Sequence, residues 1–107
     1  MHNYIIELYQ NEFIDDLIGI IIQNFVEIGI KEFEIILHDD VNLGKLDKLC
    51  EGYNLKYSIV NESSGVVGNI YISTAFDYDT DKWGQVTLNG NVIGYCVDNR
   101  LREMGLP

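Results

Sequence analysis

Between Phe13 and Ile28 the apolar residues Phe13, Ile14, Leu17, Ile18, Ile21, Phe25 and Ile28 recur every three or four positions. That is the spacing of one buried helix face. Glu12, Asp15, Asp16, Gly19, Gln23 and Glu27 fall together on the other side. Asn11 is placed to cap this helix, the early acids suit the positive end of its dipole, and Gly29 is its natural stop. The run Gly19–Ile22 would also fit a strand, which the flanking periodicity disfavours. Ahead of the helix, Tyr4–Tyr9 is β-branched and aromatic and predicts a first strand.

The later pattern is strand-rich. Lys31–His38 predicts a second strand, polar at its start and continuously apolar afterwards, as a central strand would be. Asp40 or Asn42 then caps a second helix with Leu43, Leu46, Leu49 and Cys50 inward, ended by Gly52. Leu55–Val60 predicts a third strand, Asn61–Gly65 a turn, and Val66–Phe76 contains a fourth strand. Asp77–Gly84 is expected as a loop. Gln85–Leu88 and Val92–Val97 form a hairpin across Asn89, Gly90 and Asn91, since Asn-Gly tolerates positive φ at both places. Asp98 caps a last turn through Met104. The order β-α-β-α-β-β-β-β predicts an α+β fold: a mixed, mainly antiparallel sheet of four to six strands with two helices packed on it.

The chain of 107 residues is too short for two cores, so residues 1–107 are expected as a single domain. Its apolar content excludes an acidic disordered chain. The longest apolar run, Leu17–Ile22, falls far short of the roughly 20 residues that span a bilayer. Met1-His2-Asn3 lacks the basic segment of a secretory signal. The expectation is a cytoplasmic protein with reduced thiols, Cys50 and Cys96 serving as small core residues.

Charge changes the picture most. Seventeen acids stand against seven Lys and Arg, a formal net charge of −10, and before Lys45 the only strong base is Lys31. Such a chain repels nucleic acid and anionic membrane and attracts basic surfaces. Seven Tyr and one Trp could stack on bases, but no basic groove accompanies them. The aromatics are therefore expected as sheet core or edge cover.

Candidate chemistry is sparse. Asp77, Asp79 and Asp81 alternate like the first three ligands of an EF-hand loop, but the sixth position would be Lys82 and the twelfth Leu88, so a solvated acidic loop is the better expectation. His38, Asp39 and Asp40 put an imidazole beside two carboxylates at a strand end, where α/β enzymes place functional groups. No nucleophile, metal or phosphate motif joins them, and His38 is expected as a strand-end residue satisfied by a neighbour. A small enzyme using His38 and Asp40 is the least favoured alternative, and no cofactor or metal is implied.

Carboxylates three or four residues apart on a helix stand about 5–6 Å from one another. The row Glu12, Asp15, Asp16 and Glu27, continued by Glu32, Glu34, Asp39 and Asp40, could imitate one phosphate track of a duplex. Asp77, Asp79 and Asp81 would add to the contact. The partner expected is a basic nucleic-acid-binding protein. Exposed edge strands are compatible with a homodimer.

Two segments point the same way. Glu32-Phe33-Glu34-Ile35 leading to His38-Asp39-Asp40, then Asn42-Leu43-Gly44-Lys45-Leu46-Asp47-Lys48-Leu49-Cys50-Glu51, resembles a stretch of the ArdA-type antirestriction proteins. Phe76-Asp77-Tyr78-Asp79, Trp83-Gly84 and Leu88-Asn89-Gly90 look like Asp-Tyr, Tyr-Gly and Leu-x-Gly elements near that family's C-terminus. The resemblance implies an acidic DNA mimic, encoded by a phage or mobile element, that inhibits a restriction-modification enzyme, usually as a dimer. Anti-CRISPR inhibitors would carry the same charge profile. The main alternative is an immunity-type protein covering a basic toxin or enzyme.

Overall fold

The structure, a computed structural model, describes residues 4–61 and 68–95. In chain order it contains β1 (Tyr4–Leu8), α1 (Ile14–Ile28), β2 (Glu32–Leu37), α2 (Gly44–Tyr53), β3 (Lys56–Ile59), β4 (Ile70–Ser73), β5 (Phe76–Asp77), β6 (Lys82–Trp83), β7 (Gln85–Leu88) and β8 (Asn91–Tyr95). Six strands form one sheet in the order β3-β2-β1-β4-β7-β8, and β5 pairs with β6 separately. The α+β class, the two helices and the mixed sheet match the pattern of the chain. The balance of pairing differs. β1–β2, β1–β4 and β2–β3 are parallel, while β4–β7 and β7–β8 are antiparallel. A mainly antiparallel sheet is thus true only of the C-terminal meander. Each helix carries the chain back to the end where the previous strand began, which makes the joined strands parallel.

Strand alternation decides which side chains meet the helices. Ile6, Leu8, Phe33, Ile35 and Ile72 share one core with Leu17, Ile18, Ile21 and Phe25 of α1 and with Leu46 and Cys50 of α2. Glu7, Glu34, Tyr71 and Ser73 alternate to the opposite face, beside the buried Ile5 and Ile36. The burial of α1 departs from its stripe at both margins: Ile28 is exposed, and residues outside the stripe are covered, with α2 lying along one flank. Ile20 and Ile22 are both buried, and the Tyr53 hydroxyl donates to Gln23 Oε1 at 3.3 Å. Burial also pushes the Cys50 thiol up to about 11, with the Asp47 charge adding to it.

Local chemistry sets the ends of these elements. Asn11 Oδ1 accepts the Phe13 N–H and Asn42 Oδ1 the Gly44 N–H, both at 2.8 Å. Each is an Asx turn just ahead of the helix, so Phe13 and Leu43 occupy the cap positions rather than Asn11 and Asp40 or Asn42. Gly29 ends α1 in the left-handed region at φ 81°. α2 runs through Gly52 and ends at Asn54, φ 59°, since Asn also enters that region at small cost. Asn89 and Gly90, both at positive φ, form a two-residue hairpin turn with Leu88 opposite Asn91. The expected loop at 77–84 contains a short hairpin in which Phe76 pairs with Trp83. Cys96, residues 62–65 of the predicted turn and the last turn from Asp98 lie outside the described residues.

One buried hydroxyl joins the ends of β1 and β4. Thr74 is 0% exposed. Its Oγ1 donates to the Glu7 carbonyl at 3.0 Å and accepts the Tyr9 N–H at 2.8 Å. The Asn11 amide completes the joint, donating to the carbonyls of Tyr9 and Thr74 at 3.2 and 3.1 Å. Replacing Thr74 with Val keeps the shape and strands the Tyr9 N–H. Urea denaturation should show Thr74→Val less stable by about 1–3 kcal/mol. A second polar contact ties α2 to β3. The Tyr57 hydroxyl donates to the Asp47 carboxylate, and that bond, reinforced by burial, pushes the phenol up to about 12. A raised folded value means that this contribution is complete below the ordinary 10.0 and is lost as pH climbs toward 12. Tyr57→Phe should cost about 1 kcal/mol at neutral pH and flatten the fall in stability over that alkaline range.

Candidate functional site

The carboxyl ends of β1, β2 and β4 lie at one end of the parallel strands. From β1 the chain turns through α1 to β2 on one side, whereas β4 stands on the other. Such a reversal leaves a crevice beyond the strand ends. Here it is a cleft of about 600 Å³ whose walls include Tyr9, Glu12, Phe13, Asp39, Phe76, Tyr78 and Trp83. The aromatic rings form a continuous row. Phe13 meets Trp83 edge-on at 5.6 Å, Trp83 meets Phe76 at 4.8 Å, and Phe76 meets Tyr78 edge-on at 5.0 Å. Trp83 is buried and Tyr78, at the other end of the row, is 85% exposed.

The predicted acids divide between the two ends of the molecule. Glu12 precedes α1, Asp15 and Asp16 stand in its first turn, and Asp39 and Asp40 follow β2. Asp77 lies in β5, and Asp79 and Asp81 lie in the turn beyond it. These eight belong to the cleft end. Glu27, in the last turn of α1, and Glu32, at the start of β2, lie at the opposite end. Glu34 projects from the face of the sheet opposite α1 and α2, beside Ile5 and Ser58. The single row from Glu12 to Asp40 is therefore broken, because α1 runs back along the sheet and takes Glu27 away from Asp15.

Among the described residues, no Lys or Arg lies within salt-bridge distance of those eight carboxylates. His38 Nε2 lies 3.4 Å from Glu7 Oε2, an ion pair when the imidazole is protonated. His38 also stacks on Tyr9, with ring centroids 4.2 Å apart. Burial, then the charges of Glu7 and Asp39, raises the Tyr9 phenol above its ordinary value. Asp39 Oδ2 accepts the Gln10 N–H at 2.8 Å. His38 thus engages Glu7 and Tyr9 and makes no hydrogen bond or ion pair with Asp40.

Asp77, Asp79 and Asp81 do not converge. The Asp77 carboxylate accepts the Tyr95 hydroxyl at 2.5 Å, the Gln85 amide at 3.2 Å and the Asp79 N–H at 3.1 Å. The Tyr95 bond foremost holds its carboxyl below the ordinary value. Asp77 therefore organises the hairpin, leaving Asp79 and Asp81 exposed. Among the described residues, no group of three His, Cys, Asp or Glu is arranged to hold a metal ion, and no helix is long and apolar enough to cross a membrane.

The aromatic wall was not predicted as part of a site. Its only sequence signal is the interleaving of Phe76, Tyr78 and Trp83 with Asp77, Asp79 and Asp81. Phe13 joins them from far off in the chain, so periodicity assigned it to the helix face alone. Compared with protein-family models, curated proteins and solved structures, the chain matches none.

Proposed function

We propose that the protein is a non-catalytic binding protein whose acidic end takes the place of nucleic acid on the basic surface of another protein and inhibits it. One observation carries this: eight carboxylates belong to the cleft end and, among the described residues, none forms an ion pair with Lys or Arg, although Lys82 stands across from Asp77 in the β5–β6 pair. Like charges held together raise the local field and steer basic surfaces in from solution. Because the Debye length is about 8 Å at physiological salt, a compact patch serves this purpose better than charges spread over the whole molecule. The contact is a patch at one end rather than one long phosphate track. The resemblance of Glu32–Glu51 and of the segments from Phe76 to Gly90 to ArdA-type proteins supports a host-defence target, of restriction-modification or CRISPR type. It also supports a cytoplasmic protein encoded on a phage or mobile element.

A pull-down from host lysate at low salt, repeated with competing duplex DNA, tests the proposal. A basic nucleic-acid-binding protein should be captured, and both DNA and added salt should release it. An immunity-type role against a basic toxin gives a different result when contact lies outside the toxin's nucleic-acid site, because DNA then fails to compete. Once the target is in hand, neutralising four acids of the cleft end (Asp15→Asn, Asp16→Asn, Asp79→Asn and Asp81→Asn together) should weaken binding about tenfold to hundredfold. Glu32→Gln with Glu34→Gln should change it less than about threefold. Equal losses from the two sets would refute the assignment of the contact to this end.

A further inference from the structure

We infer that the cleft between the ends of β1 and β4 is a seat for an arginine side chain of the basic partner, gripped between the exposed Tyr78 ring and the carboxylates of Glu12 and Asp39. This rests on the acidic-end proposal and narrows it from a charged patch to one anchoring contact. Three features of the cleft select the occupant. Its wall is an aromatic row backed by the buried Trp83 and the half-buried Phe13, and the outermost ring, Tyr78, leans on Phe76 at 5.0 Å while remaining 85% exposed. Its rim carries two carboxylates, and only one oxygen of Asp39 is committed, to the Gln10 N–H at 2.8 Å. The turn that presents Tyr78 is fixed from below by Asp77, which accepts from Asp79, Gln85 and Tyr95. The backbone that carries the ring is therefore set before a partner arrives, which lowers part of the ordering cost of binding.

A guanidinium meets both kinds of wall at once. Its plane stacks on an aromatic face while its N–H fork reaches a carboxylate, whereas an ammonium is a compact, strongly hydrated point charge that does neither as well. An anion would be repelled by Glu12 and Asp39, and a neutral apolar group would strip water from them without replacing it.

The chain has a single tryptophan, Trp83, so its emission reports on this cleft. The full-length protein would be titrated at low salt with hexa-arginine and with hexa-lysine, peptides of equal charge, following Trp83 fluorescence and binding heat. Hexa-arginine should bind about tenfold tighter than hexa-lysine and alone perturb the Trp83 emission. Tyr78→Ala, a change at an exposed ring, should abolish that preference with the circular dichroism spectrum unchanged. Asp39→Asn, which keeps an acceptor for Gln10, should weaken hexa-arginine severalfold. Equal, salt-sensitive binding of the two peptides, untouched by Tyr78→Ala, would overturn the arginine seat and leave the acidic-end proposal standing. Failure of both peptides to bind at low salt would overturn both.

Discussion

The buried hydroxyl of Thr74 holds the end of β1 against the end of β4, and everything placed at the cleft end hangs on that joint. Two strands that diverge at a topological reversal leave their last backbone groups without ladder partners. Thr74 Oγ1 answers the Tyr9 N–H, and the Asn11 amide answers the carbonyls of Tyr9 and Thr74. The same Asn11 turns the chain into α1 by accepting the Phe13 N–H. One short polar cluster thus positions Tyr9, Glu12 and Phe13 on one side of the cleft and Ala75 and Phe76 on the other.

The arrangement sets stability against binding, and the core tips the balance toward folding. Gathering eight carboxylates at one end raises their mutual repulsion, which salt and solvent only partly screen. Against this stands α1, buried by the sheet on one side and by α2 on another, with Leu17, Ile21, Ile22 and Phe25 at or near zero exposure. The aromatic row extends the core outward from Trp83 to Tyr78. An exposed ring at the rim of a charged cleft is thereby supported by packing that also stabilises the fold.

Much of the fold was legible in the sequence because its elements are strongly patterned. The stripe from Phe13 to Ile28 specified α1, and Asn89-Gly90 specified the last hairpin. The parallel placement of β4 beside β1 was not legible, since it depends on the path of the chain after β3 rather than on any local pattern. Gly52 misled about the end of α2 because Asn54 serves as well in the left-handed region. At the site, the acids were legible as a composition but not as a place. Helix α1 separates Glu27 from Asp15 by reversing the chain, a consequence of topology that a linear row of carboxylates does not reveal. The cleft is not legible in the sequence for the same reason, as Phe13 and Trp83 meet only in three dimensions.

The most direct measurement is amide hydrogen exchange of the full chain, with and without a saturating basic binding partner, using hexa-arginine where the natural target is not in hand. Protection should concentrate at Tyr9–Phe13, around Asp39 and across Ala75–Trp83, with Glu27–Glu34 unchanged. Protection centred on Glu27–Glu34, or on the sheet face opposite α1 and α2, would contradict the claim that the cleft end is the binding surface.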